Sequence, residues 1–384
     1  MRRRVFNEDQ TNFRQSMRDF FRKEVVSIFP EWEAAGVVPK KFYRQLGDMG
    51  VLSMSIPEEY GGSGESSYNF SAVLTEESMY AQANLGALRV HMDIVLPYFL
   101  EYANDEQKAR WLPGLGSGEL MASIAITEPG TGSDIAGIKT SAHIDGDSYI
   151  VNGSKTFITG GINADLILLV ARTGASGTEE ARKQGLSLIV IEADRDGYST
   201  GPNMAKLGLK AQDTAELFFS DVRVPVSNLL GEEGKAFEYL SHNLPQERLS
   251  IAVGSVASAT AALDITKDYV RERKAFGRAV ADFQNTKFVL AECATDIEAG
   301  QALVDRALEE HDHGELTSDD AAKVKLFCTE LQSRVVDKCL QLHGGYGYML
   351  DYPISRLYAD ARITRIYGGT SEIMKSIVSK SIMK

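Results

Sequence analysis

Cysteine is scarce. Cys293, Cys328 and Cys339 are the only three in 384 residues, too few and too scattered for a disulfide framework or a C-x-x-C metal site. All three fall in helix-patterned stretches, so the expectation is reduced thiols in a helical core. Histidine is almost as rare, and its one suggestive cluster, "HDHGE" at 311–315, reads as a polar turn between helices rather than a metal pair. No run of 18 apolar residues occurs, and the basic start "MRRRVFNEDQ" has no apolar stretch behind it. The expectation is a protein without a membrane span, in the cytoplasm. Basic charge is in deficit: 41 Lys and Arg against 53 Asp and Glu give a net charge of -12, which repels the phosphates of nucleic acid. A G-x-G-x-x-G leading into a helix is also absent, which argues against a Rossmann dinucleotide site.

What is present divides into three textures. Residues 1–119 read as helices. In "DQTNFRQSMRDFFRKEVVS" the apolar Phe13, Met17, Phe20, Phe21 and Val25 form one stripe at helical spacing. "DEQKARWLPGL" opens on an Asn104 or Asp105 cap. Residues 120–230 hold short β-rich runs, "LMASIAIT", "TSAHI", "SYIVNG", "KTFIT", "DLILLVAR", "GLSLIVIEA" and "AELFFSDVRVP". Turn signals at Asp145-Gly146, Asn152-Gly153 and Gly160-Gly161 separate them. With no helical pattern between them they predict an antiparallel sheet or small barrel, and "ARTGASGTEEARKQG" an exposed loop. Residues 231–384 return to helices, including one expected to start at a Ser318 cap. The fold class is α+β multidomain: a helical domain, an antiparallel β-domain and a C-terminal four-helix bundle.

Residues 125–134, "AITEPGTGSD", set hydroxyls at Thr127, Thr131 and Ser133 among glycines. Such a loop lets backbone N–H groups approach a planar or anionic ligand, and a plain surface loop has the same appearance. The stretch also closely resembles the acyl-CoA dehydrogenase signature. "VNGSKTFIT", "GLKAQDTAELFFSDVRVP", "RERKAFGRAVADFQ", "QLHGGYGY" and "IYGGTSEI" follow in that family's order and spacing, so the resemblance extends over essentially the whole chain. It is nearest to the long-chain type, through "LPQERLSIA" together with "IYGGTSEIMK".

The resemblance implies an FAD enzyme that dehydrogenates an acyl-CoA thioester between Cα and Cβ. Ile124, Ile126, Thr127, Gly132 and Ser133 would line the isoalloxazine and pyrophosphate, with Ser133 also near substrate. Phe157 would face the flavin where many members have tryptophan, and Thr159 would bond its polar edge. Arg273, Phe276, Gln284 and the turn Gln341, Leu342, Gly344 and Gly345 would reach the FAD of a neighbouring subunit, which implies a homo-oligomer, in this family usually a tetramer. Thr370 and Glu372 would hold the phosphate and adenine side. Electron-transferring flavoprotein is the expected acceptor. An oxygen-using oxidase and a non-enzymatic FAD binder share the motifs and stand as alternatives.

One position departs from the family's commonest pattern. Many members read I-Y-E-G-T, and the glutamate is the base; here that place is Gly368, which cannot accept a proton. The long-chain and isovaleryl branches carry the base on another helix, directly before an arginine. The matching pair is Glu247-Arg248 in "SHNLPQERLSIA". Asn243, Pro245 and Gln246 read as the cap and first turn of a helix, which would put Glu247 near a positive helix end. There the dipole and Arg248 favour the carboxylate while an apolar pocket opposes it. With Gly368 and Gly369 the chain would keep a backbone N–H for the thioester carbonyl, beside Arg248, while moving the base. Glu372 and Glu128 are rival carboxylates, both assigned by the resemblance to the flavin side.

Overall fold

The computed structural model describes residues 2–383. The first helix, Glu8–Phe20, starts on an Asn7 capping box, and its stripe is the one read from sequence: Met17, Phe20, Phe21 and Val25 are buried, with Phe13 packed against them. The helix entering at Asp105 is capped by Asn104, whose side chain accepts from the Gln107 N–H.

The middle of the chain forms an eight-stranded sheet. Its path runs Tyr198–Thr200, Thr214–Pro225, Ser148–Thr159, Ser141–Asp145, Leu166–Arg172, Leu186–Glu192 and Leu229–Leu230. The pairing is antiparallel except around Leu166–Arg172, which takes Ala122–Ala125 as a parallel neighbour. That strand enters from the helical domain, and a whole hairpin intervenes before its partner, so the two run the same way. "SYIVNG" and "KTFIT" prove to be one strand, Ser148–Thr159. Asn152-Gly153 is a bulge in it instead of a turn: the register shifts there, and Gly153 is pressed so close to Thr140 that a β-carbon would sit 2.8 Å from the Thr140 Cα. Within "ARTGASGTEEARKQG" a short helix forms, Glu179–Gln184, capped by Thr178.

Four helices then pack together, Ala236–Glu272, Gln284–Asp312, Ser318–His343 and Pro353–Thr364, and Ser371–Ile382 follows. All three cysteines are free and buried in or beside their shared core. The helix predicted to be capped by Ser318 is capped one residue earlier, by the Thr317 hydroxyl.

The helix Ala236–Glu272 is 37 residues long and takes in the segment expected to be a helix start. Asn243, Pro245 and Gln246 all lie within it, so Glu247 is mid-helix and no helix end acts on it. Pro245 lacks the N–H that would bond the Ser241 carbonyl, yet the helix runs on, because both flanks are packed: Leu240 below, and Arg248 to Ala259 above in an unbroken buried run. Its most apolar stretch is largely buried inside the protein, so this length of apolar helix serves the protein's own interior.

Candidate active site

Glu247 and Gly368 come from segments 121 residues apart in sequence and face each other. Gly368 sits in the turn between the helices Pro353–Thr364 and Ser371–Ile382, in the left-handed region at φ 62°, followed by Gly369 at φ 95°. A β-carbon built on Gly368 would lie 3.3 Å from the Glu247 Oε1 and 2.4 Å from the Ile251 Cδ1. A side chain at 368 would therefore enter the space the Glu247 carboxylate and Ile251 define. Among the described residues, the amide N–H groups of Gly368 and Gly369 have no acceptor. They are free donors next to a carboxylate.

That carboxylate likewise has no hydrogen-bond or ion-pair partner among the described residues. Burial pushes its pKa up, and the positive charges of Arg248 and then Lys325 pull only part of the way back. The apolar surroundings thus outweigh the charges. Tyr98 is buried, and its hydroxyl is held un-ionised by burial and by the Glu247 charge. Arg248 is buried too, and its guanidinium donates to the Ser318 Oγ at 3.0 Å. The neighbouring Gln246 anchors the helix, donating to the Asp93 carbonyl at 2.7 Å and meeting His311 Nε2 at 3.1 Å. His311 and Asp312 are consequently part of the packing, with Asp312 taking the Tyr68 N–H and the Ser67 and Asn69 side chains. No metal-binding cluster exists among the described residues.

A second group of residues gathers at the sheet. Ile124 and Ile126 are half-buried in the cluster that also holds Tyr98 and Leu240, which connects this region to the foot of the Glu247 helix. Thr127 gives its carbonyl to the Thr156 N–H. Gly132 and Ser133 are exposed on the loop beyond, and a β-carbon on Gly130 or Gly132 would meet open space. Phe157 occupies the left-handed region, φ 61°, at a register shift in Ser148–Thr159. That conformation is unfavourable for a bulky residue, and it holds the ring outward with 64% of the residue exposed. Thr159 accepts from the Gln212 Nε2. Behind the loop Lys155 is fully buried and donates at 2.9 Å both to the Ile126 carbonyl and to Glu128, which in turn accepts from the Lys139 and Thr140 N–H groups. Glu128 is thereby a brace for the loop.

A third group lines a cavity of about 540 Å³: Arg273, Gln341, Leu342, Gly344 and Gly345, with Tyr269 stacked on His343 at 4.2 Å. The Arg273 guanidinium lies over the Tyr346 ring. Phe276 stands 96% exposed at the tip of a two-residue hairpin, and Gln284 opens the next helix, also exposed. Thr370 caps Ser371–Ile382 through the Ile373 N–H, and Glu372 is exposed on its first turn.

Three family profiles match the chain: the acyl-CoA dehydrogenase N-terminal domain over residues 7–119, the middle domain over 123–222 and the C-terminal domain over 234–383. The chain belongs to the acyl-CoA dehydrogenase family. It is 44% identical over 381 residues to the pig (Sus scrofa) mitochondrial long-chain specific acyl-CoA dehydrogenase, covering 99% of this chain and 88% of that one. Its structure superposes on that of an acyl-CoA dehydrogenase from Geobacillus kaustophilus with a TM-score of 0.96 at 44% identity, covering 99% and 100%. An acyl-CoA dehydrogenase from Bacillus anthracis solved in complex with FAD gives 0.90 at 31%, covering 98% and 67%. As an acyl-CoA dehydrogenase, the protein is an FAD flavoprotein and an oxidoreductase acting on acyl-CoA.

The residues present suit that cofactor. An aromatic ring held outward at Phe157 offers a flat face, glycines with free space allow close backbone approach, and the Arg273 cavity offers a cation. Sequence reading passed over Lys155, Lys325 and Tyr98, because a lone lysine or tyrosine in a helix or strand carries no motif.

Proposed function

We propose that the protein removes the α-proton of an acyl-CoA thioester with Glu247 and passes the β-hydrogen on as hydride, forming the trans-2-enoyl-CoA, within fatty-acid β-oxidation or related acyl-CoA catabolism. The observation that carries this reading is the approach of Glu247 Oε1 to Gly368. The carboxylate lies against the side of the turn from which a residue-368 side chain would project, and glycine keeps such a side chain out of its way.

An α C–H is a very weak acid. Its base must be desolvated and close, and the oxygen that gains enolate charge must be hydrogen-bonded. Glu247 meets the first need: it is unpartnered and its proton affinity is raised by burial. The free N–H of Gly368, with that of Gly369 beside it, meets the second. A glutamate at 368 would set two carboxylates against each other, and they would share a proton instead of both acting as bases. FAD, when bound, supplies the hydride acceptor at its N5. Ile124, Ile126, Thr127, Gly132, Ser133, Phe157 and Thr159 would hold its ring and pyrophosphate. Thr370 and Glu372 would hold the adenine side, and Arg273, Phe276, Gln284, Gln341, Leu342, Gly344 and Gly345 would reach a neighbour's FAD.

The last assignment entails an assembly, and we read it as a homotetramer. Support comes from large apolar groups left uncovered on the single chain, Phe276, Tyr348 and Leu350 among them. Electron-transferring flavoprotein is the acceptor we assign, in a reducing cytoplasm consistent with three unpaired thiols.

Glu247→Gln tests the reading. The variant keeps volume and polarity, so it should retain FAD and bind acyl-CoA, while anaerobic bleaching of the flavin by a panel of acyl-CoA thioesters is abolished. Bleaching at the parent rate would place the base elsewhere.

A further inference from the structure

Lys325 holds one half of this site by a hydrogen bond and acts on the other through its charge. It lies on the helix Ser318–His343 with a fully buried side chain. Its Nζ donates to the Gly369 carbonyl at 2.7 Å. That carbonyl belongs to a turn whose two glycines both adopt left-handed backbone, the segment that presents the free N–H groups. The ammonium is also within electrostatic reach of the Glu247 carboxylate on the facing helix.

We propose that Lys325 is a positioning residue for the reaction: its ammonium fixes the Gly368–Gly369 turn through the Gly369 carbonyl and adds, from the facing helix, a second positive charge to that of Arg248 on Glu247. This inference rests on Glu247 being the base.

The physical case has two parts. A glycine pair has the widest backbone freedom of any dipeptide, so an oxyanion donor built on it is poorly directed unless something holds it. Within the turn the Ser371 N–H reaches back to the Arg365 carbonyl, and Lys325 holds the Gly369 carbonyl from outside. A buried ammonium is a strong donor because its hydrogen bond is charge-assisted. The second part is electrostatic. Glu247 is faced by Arg248 on its own helix, by Lys325 from Ser318–His343, and by the neutral Tyr98 hydroxyl from Leu96–Tyr102. Arg248 directs its guanidinium to Ser318, so Lys325 is the cation that also grips the substrate turn. Lys325 in its turn is faced by Arg248, Glu247, Glu330 and Glu372. Burial and then Arg248 bring its pKa down to about 8 against the pull of the three acids. Its charge is therefore conditional, and each of the Glu247 and Lys325 charges supports the other.

Lys325→Met removes charge and donor at similar length, and Lys325→Gln removes the charge while keeping an amide donor. Each is compared with the parent holoenzyme for FAD content, melting temperature and the pH profile of kcat/KM with a saturated acyl-CoA. In both variants the acid limb should move to higher pH by about one unit, since a lost opposite charge nearby shifts a carboxylate by this order. KM should rise more in Met than in Gln. Loaded, stably folded variants whose acid limb stays in place overturn the proposal.

Should neither variant fold, the coupling is read from its other end, because it is reciprocal. In Glu247→Gln the loss of trans-2-dodecenoyl-CoA affinity at alkaline pH, where Lys325 gives up its proton, should set in at lower pH than in the parent; an unmoved midpoint overturns the proposal. Flavin bleaching by Glu247→Gln would remove the base assignment. A non-bleaching Glu247→Gln combined with an unmoved Lys325 profile removes only the present inference.

Discussion

The Glu247 Oε1 lies so close to Gly368 that one methyl group added there would stand 3.3 Å from the oxygen and collide with the Ile251 Cδ1 at 2.4 Å. Gly368→Ala therefore meets two penalties. An L-residue at φ 62° costs about 1–2 kcal/mol, and Ile251 must move. The expected outcome is a lower melting temperature together with a fall in kcat/KM larger than any change in FAD content. Parent-like kinetics would show that the turn has room to spare.

The position of Glu247 also sets a pH dependence. Its pKa is raised by burial, against the pull of Arg248 and Lys325, so kcat/KM should fall on acidification with a midpoint above the ordinary carboxylate range. The stability consequence has a definite sign. A carboxyl that holds its proton more tightly when folded favours folding below its unfolded pKa, and that advantage is lost as pH rises through the folded value. Glu247→Gln should accordingly melt at a higher temperature than the parent at neutral pH and at about the same temperature in acid. Thermal scans across pH check this.

Phe157 holds its ring outward through a strained backbone. Phe157→Gly should relieve that strain, worth about 1 kcal/mol or more at a left-handed position. It also deletes the aromatic face. The apoprotein should be no less stable than the parent, while the holoprotein releases FAD faster; flavin retention on gel filtration, read beside apoprotein melting, separates the two effects.

The Lys155–Glu128 pair is enclosed behind the loop that begins at Ile126. Removing one partner of such a pair leaves an uncompensated charge and costs about 3–5 kcal/mol. Lys155→Met should destabilise the β-domain and reduce bound FAD, with Lys155→Met/Glu128→Gln recovering part of the melting temperature.

The sequence disclosed the layout because its periodicities are local. The stripe Met17–Val25, the strands at 166–172 and 186–192, and the helices after 231 lie where spacing put them. It misled wherever a local signal lost to packing. Pro245 and Asn243 have the chemistry of a helix start but are carried through a helix whose neighbours hold both sides. Asn152-Gly153 has the chemistry of a hairpin turn but bends a strand that Thr140 crosses closely. Glu247 stands out in the sequence only through likeness to a family, and the helix end expected beside it is absent, since it lies mid-helix. Lys325 and Lys155 were illegible because their roles depend on contacts with residues 44 and 27 positions away.

The buried core helix and the glycine turn converge on one small volume, and either wall can deliver a proton acceptor into it. Handing the acid–base duty from the helix to the turn would take a side chain at residue 368 and a shift of Ile251 as well as the loss of Glu247. With Ile251 and Glu247 pressed against residue 368, the turn has no room for a second acid, so on the proposed assignment the helix wall carries the task alone.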